Sequence, residues 1–345
     1  NNMSNKGMLS RSLSRRKFVA GAAGAAALAG TAALAGCSDA AAGDATHITF
    51  CLDYTPNTNH TGIYVAQQSG YFTDEGLEVE IVQPAEDTAE AMIGSGQAQM
   101  GVSYQDYIAN SLASDNPLPI QAVAAVIQHN TSGIMSRAED GITRPRDMEG
   151  FRYATWDMPV EQATIKYVVE KDGGDYSRVQ LVPSTAQDEV SGLRADMFDT
   201  VWAYEAWGVQ NAVVQDYPCN YFSFISIDDV FDYYTPVIAA NNDFCAENPE
   251  VVKAFLRAVK KGYEFAISNP DDAAQQLLDA VPELDEALVR QSQQYLTGQY
   301  QADAASWGVI DAERWSRFYQ WLNDNNLVEN QLDVNAGWSM DYLEA

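Results

Sequence analysis

Between Ile48 and Gln105 the sequence switches repeatedly between two periods. Ile48–Leu52 is a short apolar run, Leu77–Val82 alternates apolar with polar residues, and Met100–Val102 is apolar again. Between them, His60–Ser69 and residues 86–94 carry the spacing of short amphipathic helices. Gly70-Tyr71-Phe72 and Asp74-Glu75-Gly76 stop the first helix, and Gly94-Ser95-Gly96 stops the second. Strand, helix, strand, helix, strand predicts an α/β fold in which helices cover a parallel sheet. Ligands of such sheets sit beyond the carboxyl ends of the strands, where Asp53–Asn59 and Ser103–Gln105 fall.

A second α/β set follows the Pro145/Gly150 region. Phe151–Thr155, Val179–Val182 and Thr200–Trp202 read as strands, with helices over Val160–Lys171 and 186–194. Beyond Pro236 the texture changes to helices at 249–268, 271–280, 284–296 and 311–325. The first of these opens on Asn248-Pro249-Glu250, an N-cap followed by proline and an early acid. Its Val252, Phe255, Leu256, Val259, Tyr263 and Ala266 make an apolar stripe. A chain of 345 residues has room for two such domains.

Charge is divided unevenly. The whole chain carries a formal −28, from 20 Lys and Arg against 48 Asp and Glu. Residues 1–36 hold five basic groups (Lys6, Arg11, Arg15, Arg16, Lys17) and no acidic one, so the remaining 309 residues carry −33. A field this negative argues against a nucleic-acid partner and against a basic lipid-binding face. The N-terminus has the parts of an export signal: Ser14-Arg15-Arg16-Lys17-Phe18-Val19, an Ala/Gly-rich stretch from Ala20 to Ala35, then Leu34-Ala35-Gly36-Cys37. The paired arginines resemble a twin-arginine signal, and Leu-Ala-Gly-Cys resembles a bacterial lipobox. Residues 1–36 are therefore expected to be cleaved, with a lipid on Cys37 and a tether over 37–46. The expected location is extracytoplasmic, anchored to the cell membrane. The three later cysteines, Cys51, Cys219 and Cys245, lack zinc-site spacing, and no metal is expected. A Cys219–Cys245 bridge is permitted outside the cell but not favoured; Cys51, in an apolar run, reads as a small buried residue.

Longer motifs make the reading specific. Cys51-Leu52-Asp53-Tyr54-Thr55-Pro56-Asn57-Thr58-Asn59-His60-Thr61-Gly62-Ile63-Tyr64-Val65-Ala66 resembles the opening signature of the thiamine-pyrimidine-precursor binding family, to whose superfamily the fungal thiamine pyrimidine synthase also belongs. Gly70-Tyr71-Phe72, Glu75-Gly76-Leu77, Ile93-Gly94-Ser95-Gly96 and Met100-Gly101-Val102 follow at the family's intervals. Trp156 to Ala163 and Tyr233-Tyr234-Thr235-Pro236 add to the likeness, which runs from about Ile48 to Leu327. The resemblance implies a type II periplasmic-binding-protein fold: two α/β lobes joined by two hinge crossings. The first lobe would combine 47–138 with 237–345, and the second would span 139–236. It also implies a monomeric ABC-importer binding protein, with an aminopyrimidine ligand, permease subunits as partners and no cofactor. Asp232-Tyr233-Tyr234-Thr235 stands where the fungal synthase has a cysteine-rich segment, which favours binding over catalysis.

A flat heteroaromatic ligand needs stacking faces and a few directed hydrogen bonds. Tyr54, Tyr104, Trp156, Trp202, Tyr204, Tyr233 and Tyr234 offer faces, although aromatics equally pack cores. Asp53 belongs to the first strand-end loop, and Glu161 and Glu205 could accept from an amine. A first-turn acid such as Glu161 is also simply favourable for its helix. Asn57 and Asn59 suit a ring edge and are equally expected as turn residues. His60 is expected to position the loop or touch the ligand rather than merely cap. The same scaffold accommodates riboflavin-like ligands, sulfonates or nitrate. Oxyanions fit poorly, because the loops contain no Arg or Lys. A synthase-like enzyme would need a cofactor-holding lysine, and none lies in the first motif.

Overall fold

A computed structural model describes residues 43–345. The signal at 1–36, Cys37 and most of the tether lie outside the described residues. Ten strands form two five-stranded sheets: β1 Thr46–Cys51, β2 Leu77–Val82, β3 Met100–Ser103, β4 Ile120–Ala125, β5 Ser132–Arg137, β6 Arg152–Thr155, β7 Gln180–Pro183, β8 Thr200–Tyr204, β9 Cys219–Ser223 and β10 Val237–Asn241. The first sheet runs β2-β1-β3-β10-β4 and the second β7-β6-β8-β5-β9. In each, the first three strands are parallel and the fourth is antiparallel to them. The helices are α1 Thr61–Gln68, α2 Tyr71–Asp74, α3 Ala89–Ser95, α4 Gln105–Leu112, α5 Pro159–Lys171, α6 Glu189–Arg194, α7 Gln210–Val214, α8 Asn242–Glu247, α9 Pro249–Ser268, α10 Pro270–Ala280, α11 Glu286–Thr297 and α12 Ala312–Asp324.

Two of these elements change the expected partition. β5 pairs with β8 and β9, so Ser132–Arg137, within the span assigned to the first lobe, builds the second sheet. The first crossing thus lies at 126–131, between β4 and β5. The stretch after Pro236 is not purely helical either. β10 lies between β3 and β4 and brings the chain back to the first sheet. Its Val237-Ile238-Ala239-Ala240 is wholly buried, and a strand covered on both faces loses the alternation that marks an exposed one. Cys219 lies on β9 of the second sheet and Cys245 on α8 beside the first; both are free thiols, and Cys51 is buried as expected.

The two crossings are tied to each other. His129 from the first contacts Asp232 from the second at 2.7 Å, and the Asn130 backbone N–H donates to the same carboxylate at 3.0 Å. The other His129 nitrogen contacts Asp303 at 2.6 Å, which couples the crossings to the C-terminal helical region. The carboxylates on either side hold the His129 pKa above its ordinary value, the hydrogen bond to Asp232 contributing most.

Helix α1 follows directly from the loop at the end of β1 and must therefore be placed accurately. It crosses α9 at two glycines, Gly62 and Gly262, both buried. A Cβ on Gly262 would overlap the Gly62 carbonyl oxygen, and one on Gly62 would run into the Tyr263 ring. The close crossing lets the Tyr263 hydroxyl donate to the Asn59 carbonyl at 2.5 Å. Gly262→Ala gains about 1 kcal/mol of helix propensity but must push the two backbones apart, at a typical cost of about 1–3 kcal/mol or more. Backbone against backbone leaves no flexible side chain to yield, so the clash wins. Urea unfolding should show a net loss of about 2 kcal/mol; an unchanged midpoint would mean that the helices separate freely.

Candidate functional site

Strand ends of both sheets meet at two adjoining cavities of about 270 and about 310 Å³. The first is lined by the loop after β1, by Ile127 and Thr131 of the first crossing, and by Ala206 and Trp207 after β8. The second is lined by the first turns of α4, by Trp156 and Met158–Glu161 after β6, and by Trp202 and Tyr233. Tyr104, Tyr204 and Thr235 line both cavities and form the partition between them.

The first cavity is organised around Asp53, whose side chain is only 6% exposed. The Asn57 backbone N–H donates to Nδ1 of His60 at 3.2 Å, which makes Nδ1 an acceptor. The ring hydrogen then sits on Nε2, which donates to Oδ1 of Asp53 at 2.6 Å. The Tyr104 hydroxyl donates to Oδ2. Burial pushes the Asp53 pKa up, but His60 and the hydrogen bond of Tyr104 outweigh it and hold the group below its ordinary value. His60 is fully buried behind the cavity wall and acts as both cap and positioning residue. Asn57 accepts from the Asn59 N–H at 2.9 Å and caps the turn, while Asn57 and Asn59 both remain on the lining. The turn is held from behind: Tyr300 donates to the Thr58 carbonyl at 2.6 Å, and Thr58 pairs with Ser292 at 2.6 Å. Tyr54, 68% exposed, extends over the opening.

The second cavity is aromatic. Trp156 is 46% exposed and lies 5.3 Å from Trp202, which in turn packs on Phe224 at 4.4 Å. Glu161 lines this cavity, but its carboxylate is already engaged. Oε1 accepts from the Thr155 hydroxyl at 2.9 Å and from the Trp156 N–H at 3.0 Å, so it fixes the loop that carries the tryptophan. Asp157, at φ +58°, makes the turn.

Besides His60, two more expected residues are placed off both linings. Tyr234 is 1% exposed and lines neither cavity; it packs against Trp315, and its hydroxyl accepts from the Asp311 N–H. Its neighbour Tyr233 faces the second cavity instead, because successive residues of an extended segment point to opposite sides. Glu205 is absent from both linings. It accepts from the Tyr295 hydroxyl at 3.0 Å, beside a bond from Ser292 to the Ala206 carbonyl, and so joins the turn after β8 to α11. Among the lining residues that the sequence reading missed, three lie on α4: Asp106, Tyr107 and Asn110. That helix follows a recognised strand end, and continuing the strand-end rule into the next turn would have found them.

The family described as "NMT1/THI5 like" matches residues 57–273. The formylaminopyrimidine-binding protein of Halalkalibacterium halodurans is 31% identical over 296 residues, covering 84% of this chain and 88% of that protein. A 4-amino-5-hydroxymethyl-2-methylpyrimidine phosphate synthase of Saccharomyces cerevisiae is 25% identical over 253 residues, covering 70% of this chain and 73% of the enzyme. Among solved structures, the periplasmic aliphatic sulphonate binding protein of Escherichia coli superposes with a TM-score of 0.67 at 11% identity, covering 84% of this chain and 96% of that one. The fold is therefore that of the periplasmic binding proteins, with two α/β lobes.

Removing the Asp53 carboxylate strands two buried donors, His60 Nε2–H and the Tyr104 hydroxyl. Asp53→Ala should cost about 2–4 kcal/mol, since each unpaired buried group costs about 1–3. Asp53→Asn keeps one acceptor and should cost less. A carboxylate whose folded pKa is depressed contributes its stability above the unfolded value near 3.8 and loses it as pH falls through the folded value. The stability gap between the wild type and Asp53→Asn should therefore close below about pH 4. Denaturant titrations at pH 3 and pH 7 measure it, and a gap of equal size at both would refute the charged assignment.

Proposed function

The chain belongs to the NMT1/THI5-like family, and on that premise we propose that it is an extracytoplasmic solute-binding protein delivering a thiamine pyrimidine precursor, an aminopyrimidine, to an ABC permease. The supporting observation is the second cavity: a tryptophan face exposed between two lobes, beside a small set of hydrogen-bonding groups. Tyr54, Tyr104, Trp156, Trp202, Tyr204 and Tyr233 would hold the ring. Asp53, Asn57, Asn59 and His60 would shape the wall on the first-lobe side. Glu161 would support Trp156, and Glu205 would fix the turn beyond β8.

Two alternatives have less support. The lining of both cavities, among the described residues, contains no Arg or Lys, which disfavours sulfonate or nitrate; likeness to the sulphonate binder extends to the fold alone. None of the lysines Lys166, Lys171, Lys253, Lys260 and Lys261 lines a cavity, so a synthase-like reaction lacks its cofactor-holding residue there. The twin-arginine and lipobox patterns support export and a lipid on Cys37, with the monomer held at the membrane surface.

Three measurements test this reading. Protein purified from its native host and denatured should release an aminopyrimidine detectable by mass spectrometry and rebinding in calorimetry. A flavin would move the assignment to a larger ligand spanning both cavities, and turnover of any bound compound would defeat the binder reading. Trp156→Ala should weaken aminopyrimidine binding at least tenfold, about 1.4 kcal/mol, with little change in melting temperature; unchanged affinity would make Trp156 a packing residue. Cys37→Ala should transfer the protein from the membrane fraction to the medium, and retention at the membrane would contradict the lipid anchor.

A further inference from the structure

We infer that Asp106 is the residue that selects the amino group of the cargo, pairing with the edge formed by a pyrimidine ring nitrogen and its neighbouring exocyclic amine. The inference rests on the aminopyrimidine reading and deepens it. Asp106 lines the second cavity from the first turn of α4, with Asn110 one turn further along the same face. Among the described residues it forms no ion pair, and no side chain donates to it. Its nearest donors are the N–H groups of its own turn, at Asp106 and Tyr107. Glu161, the other carboxylate on this lining, is engaged by its own loop. A carboxylate in an aromatic cavity without a counter-charge is costly unless a ligand supplies donors. The exposed face of Trp156 provides a surface on which a flat ring stacks, and an aminopyrimidine edge offers two groups at the spacing of the two carboxyl oxygens.

The pairing involves one proton. The amine donates to one oxygen of Asp106. The second bond needs a hydrogen between the other oxygen and the ring nitrogen, carried by either partner. The groups around Asp106 favour proton retention. Glu90 from α3 adds negative charge, and Tyr107 of α4, Tyr204 at the end of β8, Tyr233 of the second crossing and Tyr319 of α12 surround it without a cation. Burial, the largest cause, with Glu90 adding to it, pushes the Asp106 pKa up to about 6. Above that pH the free carboxyl is ionised, so forming the two-bond pair takes up a proton and affinity falls as pH rises.

The test is calorimetric titration with 4-amino-5-hydroxymethyl-2-methylpyrimidine from pH 6 to pH 9. For the wild type the dissociation constant should rise with pH, approaching tenfold per unit. Asp106→Asn presents a carbonyl to the amine and an amide N–H to the ring nitrogen without titrating, so its affinity should be independent of pH across that range. Asp106→Leu should bind at least tenfold more weakly than the wild type at pH 6. The wild type should also bind the same pyrimidine lacking its 4-amino group at least tenfold more weakly, a measurement that does not depend on any variant folding. Wild-type pH profiles in both variants, or equal affinity for the deaminated compound, would overturn the role of Asp106 while leaving pyrimidine binding intact. No binding of either compound by the wild type would overturn the reading beneath it, and the inference with it.

Discussion

The loop that opens the first cavity depends on a carboxylate nearly sealed from water. Asp53 leaves β1 at the cleft, and its two oxygens accept from His60 at the entrance to α1 and from Tyr104 at the entrance to α4. β1, α1 and α4 are thereby fixed to one another by one side chain. Burial alone would make that carboxylate unfavourable, and the two donors convert it into a tie. The fixed register of α1 follows, and with it the glycine crossing on α9. Only a crossing this close brings Tyr263 within reach of the Asn59 carbonyl, so the rear of the loop depends on the same geometry as its front.

Helix α11 has a comparable role across the cleft. Ser292 pairs with Thr58 of the first loop and donates to the Ala206 carbonyl beyond β8, so one hydroxyl spans the ends of two sheets. Tyr295 on Glu205 and Gln291 on Gln210 continue the same line of contacts. Opening the lobes on this side breaks three hydrogen bonds whose net worth is about 0.5–1.5 kcal/mol each, an amount that ligand binding can offset. The crossings themselves remain joined at His129 and Asp232. Movement on the α11 side must also part Ala206 and Trp207 from the apolar core of the first lobe, while the paired linkage at the hinge guides it.

What could be read from the sequence depended on how local each signal was. β2, α5 and α9 show their period within a few residues, and the structure places them within a residue or so of expectation. β4, β5 and β10 escaped because their stability comes from distant partners. Ala122, Ala124, Ala239 and Ala240 have no strand preference of their own and become strand only when β10 is inserted beside β3. The site divided in the same way. Trp156 and Asp53 lie at recognised strand ends, whereas Tyr233 and Tyr234 are adjacent and equally aromatic, and only tertiary packing decides which faces the cavity. Asp106 was missed with the helix that carries it. Glu161 is expected from the sequence to accept from an amine or, equally, to be a favourable first-turn acid, and its hydrogen bonds are spent within its own loop.

The −33 carried by residues 37–345 acquires a local meaning at the site. A surface charge of this size is screened within about 8–10 Å in physiological salt and cannot select a small ligand by itself. Selection is decided inside the cavity, where screening is weaker and individual groups count. There the lining offers aromatic faces, neutral amides and hydroxyls, and a carboxyl group without a counter-charge, while cations are missing from it among the described residues. Such a surface repels anions at short range and rewards a neutral or weakly basic ring that brings its own N–H donors. The fold places the cleft, and on the inference drawn for Asp106 the first turn of α4 would set what the cleft prefers.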